Sequence, residues 1–401
     1  MTTCLFPDRR FGMFIHWGIY AAGGWHEQEQ GRLRIPRAEY ARRMETFDPT
    51  DFDADAWVRA AAGAGMRYIC FTAKHHDGFC MWDTARTDYK ITRTRWGRDP
   101  LRELSAACAR ADMALCVYYS IPDWHHPGAG NPLSSHQIAP ESGDVPDMEA
   151  YKAYAKAQIT ELLTGYGPIR ALFWDIPPHV YDPSLNELAR RLQPGIRIND
   201  RGFSEGDYAT PERMVPDMRA FTRPTEACQS VGAASWGFRA HQHYYGTAFL
   251  TRSVDTILAM GGSYLLNVGP DEKGRLGRDG ERLKRVGDWY VRVRESYEGA
   301  DPAVDITLPD GILATKRDNV LYLHFREGLN ASGVDLPGLS CPKAAYFLND
   351  GRALPFAVEP LPALNCPWGG IGVRERGEGL HIWDIPVDEF AAEAPVVKLE
   401  Y

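Results

Sequence analysis

Short apolar runs that end in polar residues recur from Phe11 to about residue 297, most of them followed by an amphipathic segment. Strands alternating with helices build a parallel sheet, because each helix carries the chain back to the end where the next strand must start. The runs are Gly12–Gly18, Arg67–His76, Ala114–Ser120, Ile169–Asp175, Gly195–Arg201 and Ser263–Gly269. Between them lie helix signals: Asp53 as a cap before Trp57, Ala61 and Ala64, Asp99-Pro100 before Leu101, Leu104 and Cys108, and Asp147 before Tyr151, Ala155, Ile159 and Leu162. Further helical segments fall near 184–193, 247–260 and 279–297, and residues 202–240 read as irregular. The span and the number of repeats favour a (β/α)8 TIM-like barrel, which uses ~250 residues, over a doubly wound sheet. No glycine-rich phosphate fingerprint opens a helix, and Gly261-Gly262 precedes a strand.

Beyond residue 300 the texture changes. Asp305–Leu308, Leu313–Thr315, Val320–Phe325, Ala345–Leu348, Leu380–Trp383 and Val396–Leu399 are short strand candidates parted by Gly and Pro. That pattern predicts an all-β module, a sandwich. The expected organisation is a barrel over 1–298 and a β-sandwich over 299–401.

A net charge of -8 with scattered acidic residues speaks against duplex nucleic acid as a partner. No run of about 18 apolar residues exists, so no membrane span is expected. The first ten residues lack the apolar core of a signal peptide, so the expectation is a cytoplasmic protein. Eight cysteines from Cys4 to Cys366 form no CxxC pair, and Cys70, Cys108 and Cys116 sit within apolar patterns. A reducing compartment without a disulfide framework is expected. Oligomeric state stays open.

The strand Ile169–Asp175 lies between Gly167-Pro168 and Pro177-Pro178 and closes on a carboxylate. Asp175 either caps the turn or centres the chemistry, since ligands gather at the carboxyl ends of parallel strands. Other strand ends deliver His16, His75, His76, Tyr119 and Arg201, among tryptophans that include Trp236. Aromatic faces with neutral hydrogen-bonding groups suit a sugar. A metal is the rival, through His75-His76, His125-His126 and His241-x-His243. Adjacent residues on a strand point to opposite faces, however, and no HExxH spacing is present, so no metal or other cofactor is expected. A glycoside needs two carboxyl groups. Asp175 supplies the nucleophile, with Arg201 keeping it ionised, while Glu205, Glu212 and Glu226 remain open as the general acid/base.

In order along the chain, Phe11–Gly18, Thr72–Phe79, Tyr118–Trp124, Phe173–Asp175, Asn199–Arg201, Asp207–Glu212, Trp236–Phe238 and Leu266–Pro270 resemble the α-L-fucosidases of glycoside hydrolase family 29. The resemblance covers most of residues 5–295 and implies a retaining exo-acting α-L-fucosidase with a fucoside or fucosylated glycan as its partner. It makes Asp175 the nucleophile, and Glu212 the acid/base with Glu226 as the alternative. It makes His16, Glu27, His75, His76, Tyr119 and Arg201 substrate partners and Trp236 a pocket wall. Thr225 and Phe173 stand where aromatic residue and tryptophan, respectively, are common in that family. The alternatives are a glycosidase for another 6-deoxy sugar or a galactoside, and a catalytically silent sugar-binding protein on the same scaffold.

Overall fold

The computed structural model describes residues 6, 10–129, 136–360 and 377–401. Seven parallel strands curl into one sheet: β1 (Phe11–Ile15), β2 (Tyr68–Lys74), β3 (Ala114–Ser120), β4 (Ile169–Asp175), β5 (Arg197–Ile198), β6 (Glu226–Ser230) and β7 (Ser263–Val268). Their order is β5-β4-β3-β2-β1-β7-β6. Two short helices, α1 (Glu29–Leu33) and α2 (Arg37–Ala41), follow β1; the outer layer is α3 (Ala54–Gly63), α4 (Pro100–Arg110), α5 (Met148–Gly165), α6 (Ser184–Leu192), α7 (Thr247–Ala259) and α8 (Gly277–Val293). Asp53, Asp99 and Asp147 cap α3, α4 and α5 by accepting the backbone N–H three residues on. That satisfies donors the first helical turn would otherwise orphan.

The gap between β5 and β6 is closed by residues 207–213. The N–H of Asp207 donates to Ile198 O at 2.6 Å and that of Ala209 to Pro224 O at 3.0 Å. On the same β6 side as Pro224, Glu226 N donates to Ala209 O at 2.9 Å and Cys228 N to Pro211 O at 3.0 Å. Parallel bridges pair Asn199 with Tyr208, Ala209 with Thr225, and Glu212 with Cys228. This segment completes the ring as an eighth, irregular strand, because Pro211 cannot donate to a ladder. The stretch read as irregular from sequence therefore holds both this segment and β6. Glu226-Ala-Cys-Gln-Ser carries no apolar run, although all five residues are buried.

Strand alternation divides the core in two. Phe14, Tyr68, Cys70, Cys116, Tyr118, Ala171, Phe173, Tyr208, Cys228 and Leu265 fill the barrel interior. Ile15, Ile69, Leu115, Leu172 and Leu266 face outward and pack with Trp57, Leu101, Leu104, Ile159 and Leu283 from the helices.

The C-terminal part is antiparallel. Strands β8 (Asp301–Pro302), β9 (Ile312–Arg317), β10 (Val320–Phe325), β12 (Ala344–Phe347), β13 (Arg352–Ala353) and β16 (Val396–Glu400) form one sheet, and β11 (Val334–Pro337), β14 (Phe356–Pro360) and β15 (Glu378–Ile382) a second. Leu321, Leu323, Phe347 and Val397 of the first meet Leu336, Leu380 and Ile382 of the second in one core, the packing of a sandwich. Asp305–Leu308, expected as a strand, is not one. The module is tied to the barrel by buried polar contacts. Asp255 on α7 accepts from Tyr297 Oη at 2.5 Å and lies 2.7 Å from His324 Nδ1 on β10. The six described cysteines are free, and Cys4 and Cys366 lie outside the described residues.

Helices α3 and α8 touch through Gly287, where a Cβ would come within 2.3 Å of Ala64 Cα. Alanine raises helix propensity by ~1 kcal/mol, but overpacking a closed contact costs ~1–3 kcal/mol. Gly287→Ala should therefore lower the midpoint of thermal unfolding, and a rise would show that the contact yields.

Candidate active site

Asp175 is the last residue of β4, which places its carboxylate at the carboxyl rim of the barrel. Tyr118 Oη donates to its Oδ2 at 2.6 Å, Arg201 Nη1 to its Oδ1 at 3.2 Å, and His76 Nε2 stands 3.8 Å from Oδ2. Burial alone would raise its pKa, but His76, Arg201, Tyr118 and His16 together hold the carboxyl below its usual value. Arg201 is in turn gripped by the irregular strand: its Nε donates to Thr210 Oγ1 at 2.7 Å and its Nη2 to Thr210 O at 2.6 Å. Its Nη1 also donates to Glu212 Oε2 at 2.8 Å. One nitrogen thus serves both carboxylates, which bounds the two accepting oxygens at about 6.0 Å apart. That is near the ~5–5.5 Å of a retaining pair and short of the ~6.5–9.5 Å of an inverting one.

These groups line a cavity of about 160 Å³ with Phe14, His16, Glu27, Gln28, His75, His76, His136, Phe173, Ile176, Cys228 and Trp236. Its volume is below the ~300–1,000 Å³ of drug-sized sites, room for one sugar ring. His16 Nδ1 pairs with Asn267 Oδ1 at 2.7 Å and His76 Nδ1 with Ser120 Oγ at 2.7 Å. Their Nε2 atoms remain for other partners, and the buried Nδ1 of His75 has no hydrogen-bond partner among the described residues. Burial lowers the pKa of all three, that of His76 to about 4, so near neutral pH each is an uncharged donor and acceptor. Glu27 Oε2 accepts from Ser235 Oγ, from Trp236 N at 3.0 Å and from Gly237 N at 3.2 Å. Burial opposes its ionisation, but His26, Ser235 and His16 hold its pKa below normal.

His75 and His76 share one cavity despite being adjacent because β2 ends at Lys74. A buried ion pair makes that turn. Lys74 Nζ lies 2.7 Å from Asp123 Oδ2, donates to Tyr151 Oη at 3.1 Å and sits 4.4 Å above the Tyr119 ring. Asp123 Oδ1 accepts from the N–H groups of His125 and His126 at 3.0 and 2.9 Å, and Trp124 N donates to His76 O at 2.7 Å. The turn after β2 is thereby clamped to the turn after β3.

The structure brings His16, Glu27, His75, His76, Asp175, Arg201, Glu212 and Trp236 together around this cavity. It places three other candidates elsewhere. Tyr119 points away from the cavity and donates to Gln158 Oε1 at 2.7 Å. Its neighbour Tyr118 faces inward instead, because it shares the face of Phe173, its register partner, and of Ser120, which pairs with Asp175. Counting back by two from the strand end would have found it. Glu226 opens β6 at the barrel floor, two residues below Cys228, where it accepts from Tyr68 Oη at 2.7 Å. Glu205 is exposed and accepts from Tyr181 Oη at 3.1 Å. Sequence reasoning also missed Gln28, His136 and Ile176. Ile176 has φ 61°, a conformation rare for a β-branched residue, which folds it onto the cavity beside Asp175. No three His, Cys, Asp or Glu side chains converge as metal ligands among the described residues.

Two outcomes are expected here. Removing one partner of a buried ion pair costs ~3–5 kcal/mol, whereas replacing both by apolar groups is often neutral. Lys74→Met should destabilise by that amount in denaturant unfolding. Lys74→Met with Asp123→Leu should regain part of the stability but not kcat/KM, because the N–H groups of His125 and His126 lose their acceptor. Burial raises the Glu226 pKa to about 7. The folded state then binds the proton more tightly than the unfolded state, and stability is lost as pH rises from about 4.5 to 7. Glu226→Gln should remove that loss, of order 3 kcal/mol at full effect, leaving turnover intact. A Tm advantage over wild type that failed to grow across this pH range would contradict it.

A family model described as Alpha-L-fucosidase matches residues 2–295. The alpha-L-fucosidase of Dictyostelium discoideum is 26% identical over 340 residues, covering 74% of this chain and 71% of that one. The tissue alpha-L-fucosidase of Homo sapiens is 25% identical over 333 residues, covering 74% and 69%. Among solved structures, alpha-L-fucosidase isoenzyme 1 from Paenibacillus thiaminolyticus superposes with a TM-score of 0.83 at 32% identity, over 99% of this chain and 97% of that one. The chain belongs to the alpha-L-fucosidase family and is a glycoside hydrolase.

Proposed function

We propose that this enzyme hydrolyses terminal α-L-fucosyl residues with retention, using Asp175 as nucleophile and Glu212 as acid/base. The observation that carries the reading is the shared Arg201 Nη1, which keeps one oxygen of each carboxylate within about 6.0 Å of the other, as a double displacement requires. Asp175 attacks the anomeric carbon while Glu212 protonates the departing glycosidic oxygen, forming a glycosyl ester. Glu212 then takes a proton from water, which attacks the same carbon and returns Asp175 as a carboxylate. Glu212 is the more exposed of the two, with 38% of its side chain accessible against 13% for Asp175. The acid/base must meet both the leaving group and water, and the nucleophile must not.

The cavity also suits the sugar. Neutral imidazoles from His16, His75 and His76, with the Glu27 carboxylate, match a ring bearing secondary hydroxyls. Phe14 and Phe173, with ring centres 5.2 Å apart, join Trp236 in an apolar wall for the methyl group of a 6-deoxy sugar. A cavity for one ring supports exo action. The complete carboxylate pair favours catalysis over a silent binding protein.

Asp175→Ala should lower turnover of an aryl α-L-fucoside by at least about 10³-fold with the fold intact, as expected for loss of a nucleophile acting within a unit. Glu212→Ala should spare substrates with activated leaving groups on the first step, and azide should restore turnover by giving fucosyl azide of retained configuration. Near-wild-type activity in Asp175→Ala would end this reading.

A further inference from the structure

The chain carries a net charge of -8, yet one side of the cavity mouth is edged by arginines. Arg32 Nε donates to Gln28 Oε1 at 3.1 Å, and Gln28 lines the cavity. Arg213 lies 4.4 Å above the ring of Trp236, which lines the same cavity. Arg239 Nη1 reaches the carbonyl of Trp25 at 3.4 Å, next to the buried His26-Glu27 pair. The fields of all three converge on His26, whose pKa is lowered first by burial and further by these three cations, against Glu27.

None of the three forms an ion pair with a carboxylate among the described residues. Their other polar contacts are backbone carbonyls: Arg213 Nη1 with Gly232 and Ala233, and Arg239 Nε with His241. Arginines elsewhere at the surface are commonly paired, as Arg37 is with Asp144 and Arg98 with Glu103. Of the two glutamates that line the cavity, Glu212 is already held by Arg201 and Glu27 is buried against Ser235, Trp236 and Gly237. Arg32 is exposed, and Arg213 and Arg239 are half-buried, so their unused N–H groups meet solvent.

We propose that this arginine rim is a recognition site for an anionic group on the leaving-group side of the substrate. The inference rests on the fucosidase reading above. The cavity holds one sugar, so groups outside its mouth meet only what that sugar is attached to. A guanidinium offers a planar fork of donors that fits carboxylate, sulfate or phosphate oxygens. The ligand class is a fucoside whose aglycone bears such an anion, and the natural source is an acidic glycan, carboxylated or sulfated.

The test compares wild type with Arg32→Gln/Arg239→Gln on three substrates. These are 4-nitrophenyl α-L-fucoside, the same compound with a ring carboxylate, and the same compound with a ring sulfate ester. Each substrate is its own control for leaving-group reactivity, because the chemistry is identical in the two proteins. The double variant should keep kcat/KM on the neutral fucoside within about twofold. It should lose roughly fivefold or more on at least one anionic substrate, the yield of two partly exposed charge contacts. Raising ionic strength should erase the same advantage in wild type, since exposed charges are screened over ~8–10 Å. Loss on the carboxylate alone, the sulfate alone, or both assigns the anion. Equal change on neutral and anionic substrates, or an advantage that salt does not touch, overturns the proposal. No turnover of the neutral fucoside by wild type would instead defeat the fucosidase reading, so the two failures are distinct.

Discussion

The catalytic rim depends on the buried contact between Lys74 and Asp123. Neither side chain is more than 1% exposed, and an unpaired charge at that depth would cost several kcal/mol. Their union ends β2 and fixes the turn that follows β3 in the same stroke. From that clamp the order runs outward: Trp124 holds the carbonyl of His76, Ser120 holds its ring, and His76 faces Asp175. A wholly apolar arrangement could pack this corner as tightly. It could not supply the acceptor that the N–H groups of His125 and His126 share, nor orient two adjacent imidazoles to one side.

Depth along the barrel axis separates three carboxylates that a linear chain presents alike. Asp175 stands at the rim among donors and is held ionised. Glu212 stands further out and has one charged partner. Glu226 lies on the floor among Tyr68, Cys70 and Tyr208, where burial pushes it toward the neutral form. The same functional group thus yields the proposed nucleophile, the proposed proton carrier and a structural acceptor, and the difference comes from solvent and neighbours alone.

Much of this was legible in the order of residues. The caps at Asp53, Asp99 and Asp147 announce their helices, and the apolar run before Asp175 announces its strand. The legible features share a strong local signal. The missed ones depend on parity or on distant partners. Tyr118 and Tyr119 differ only in which way a strand points, and that is set by register with β4. Residues 207–213 and β6 carry several small and polar side chains, so the hydrophobic pattern that reveals a strand is absent. Glu226 looks like a family acid in sequence because nothing local records its height in the barrel.

The ring is closed by an element that breaks its own ladder. Asp175 sits on a strand paired on both sides, whereas Glu212 lies in a segment held by a few bridges around Pro211. Length changes in such a segment disturb little of the core, so the position of the proposed acid/base is set more loosely than that of the proposed nucleophile. Within residues 202–224 the proposed acid is identified by its contact with Arg201, not by counting from a neighbour.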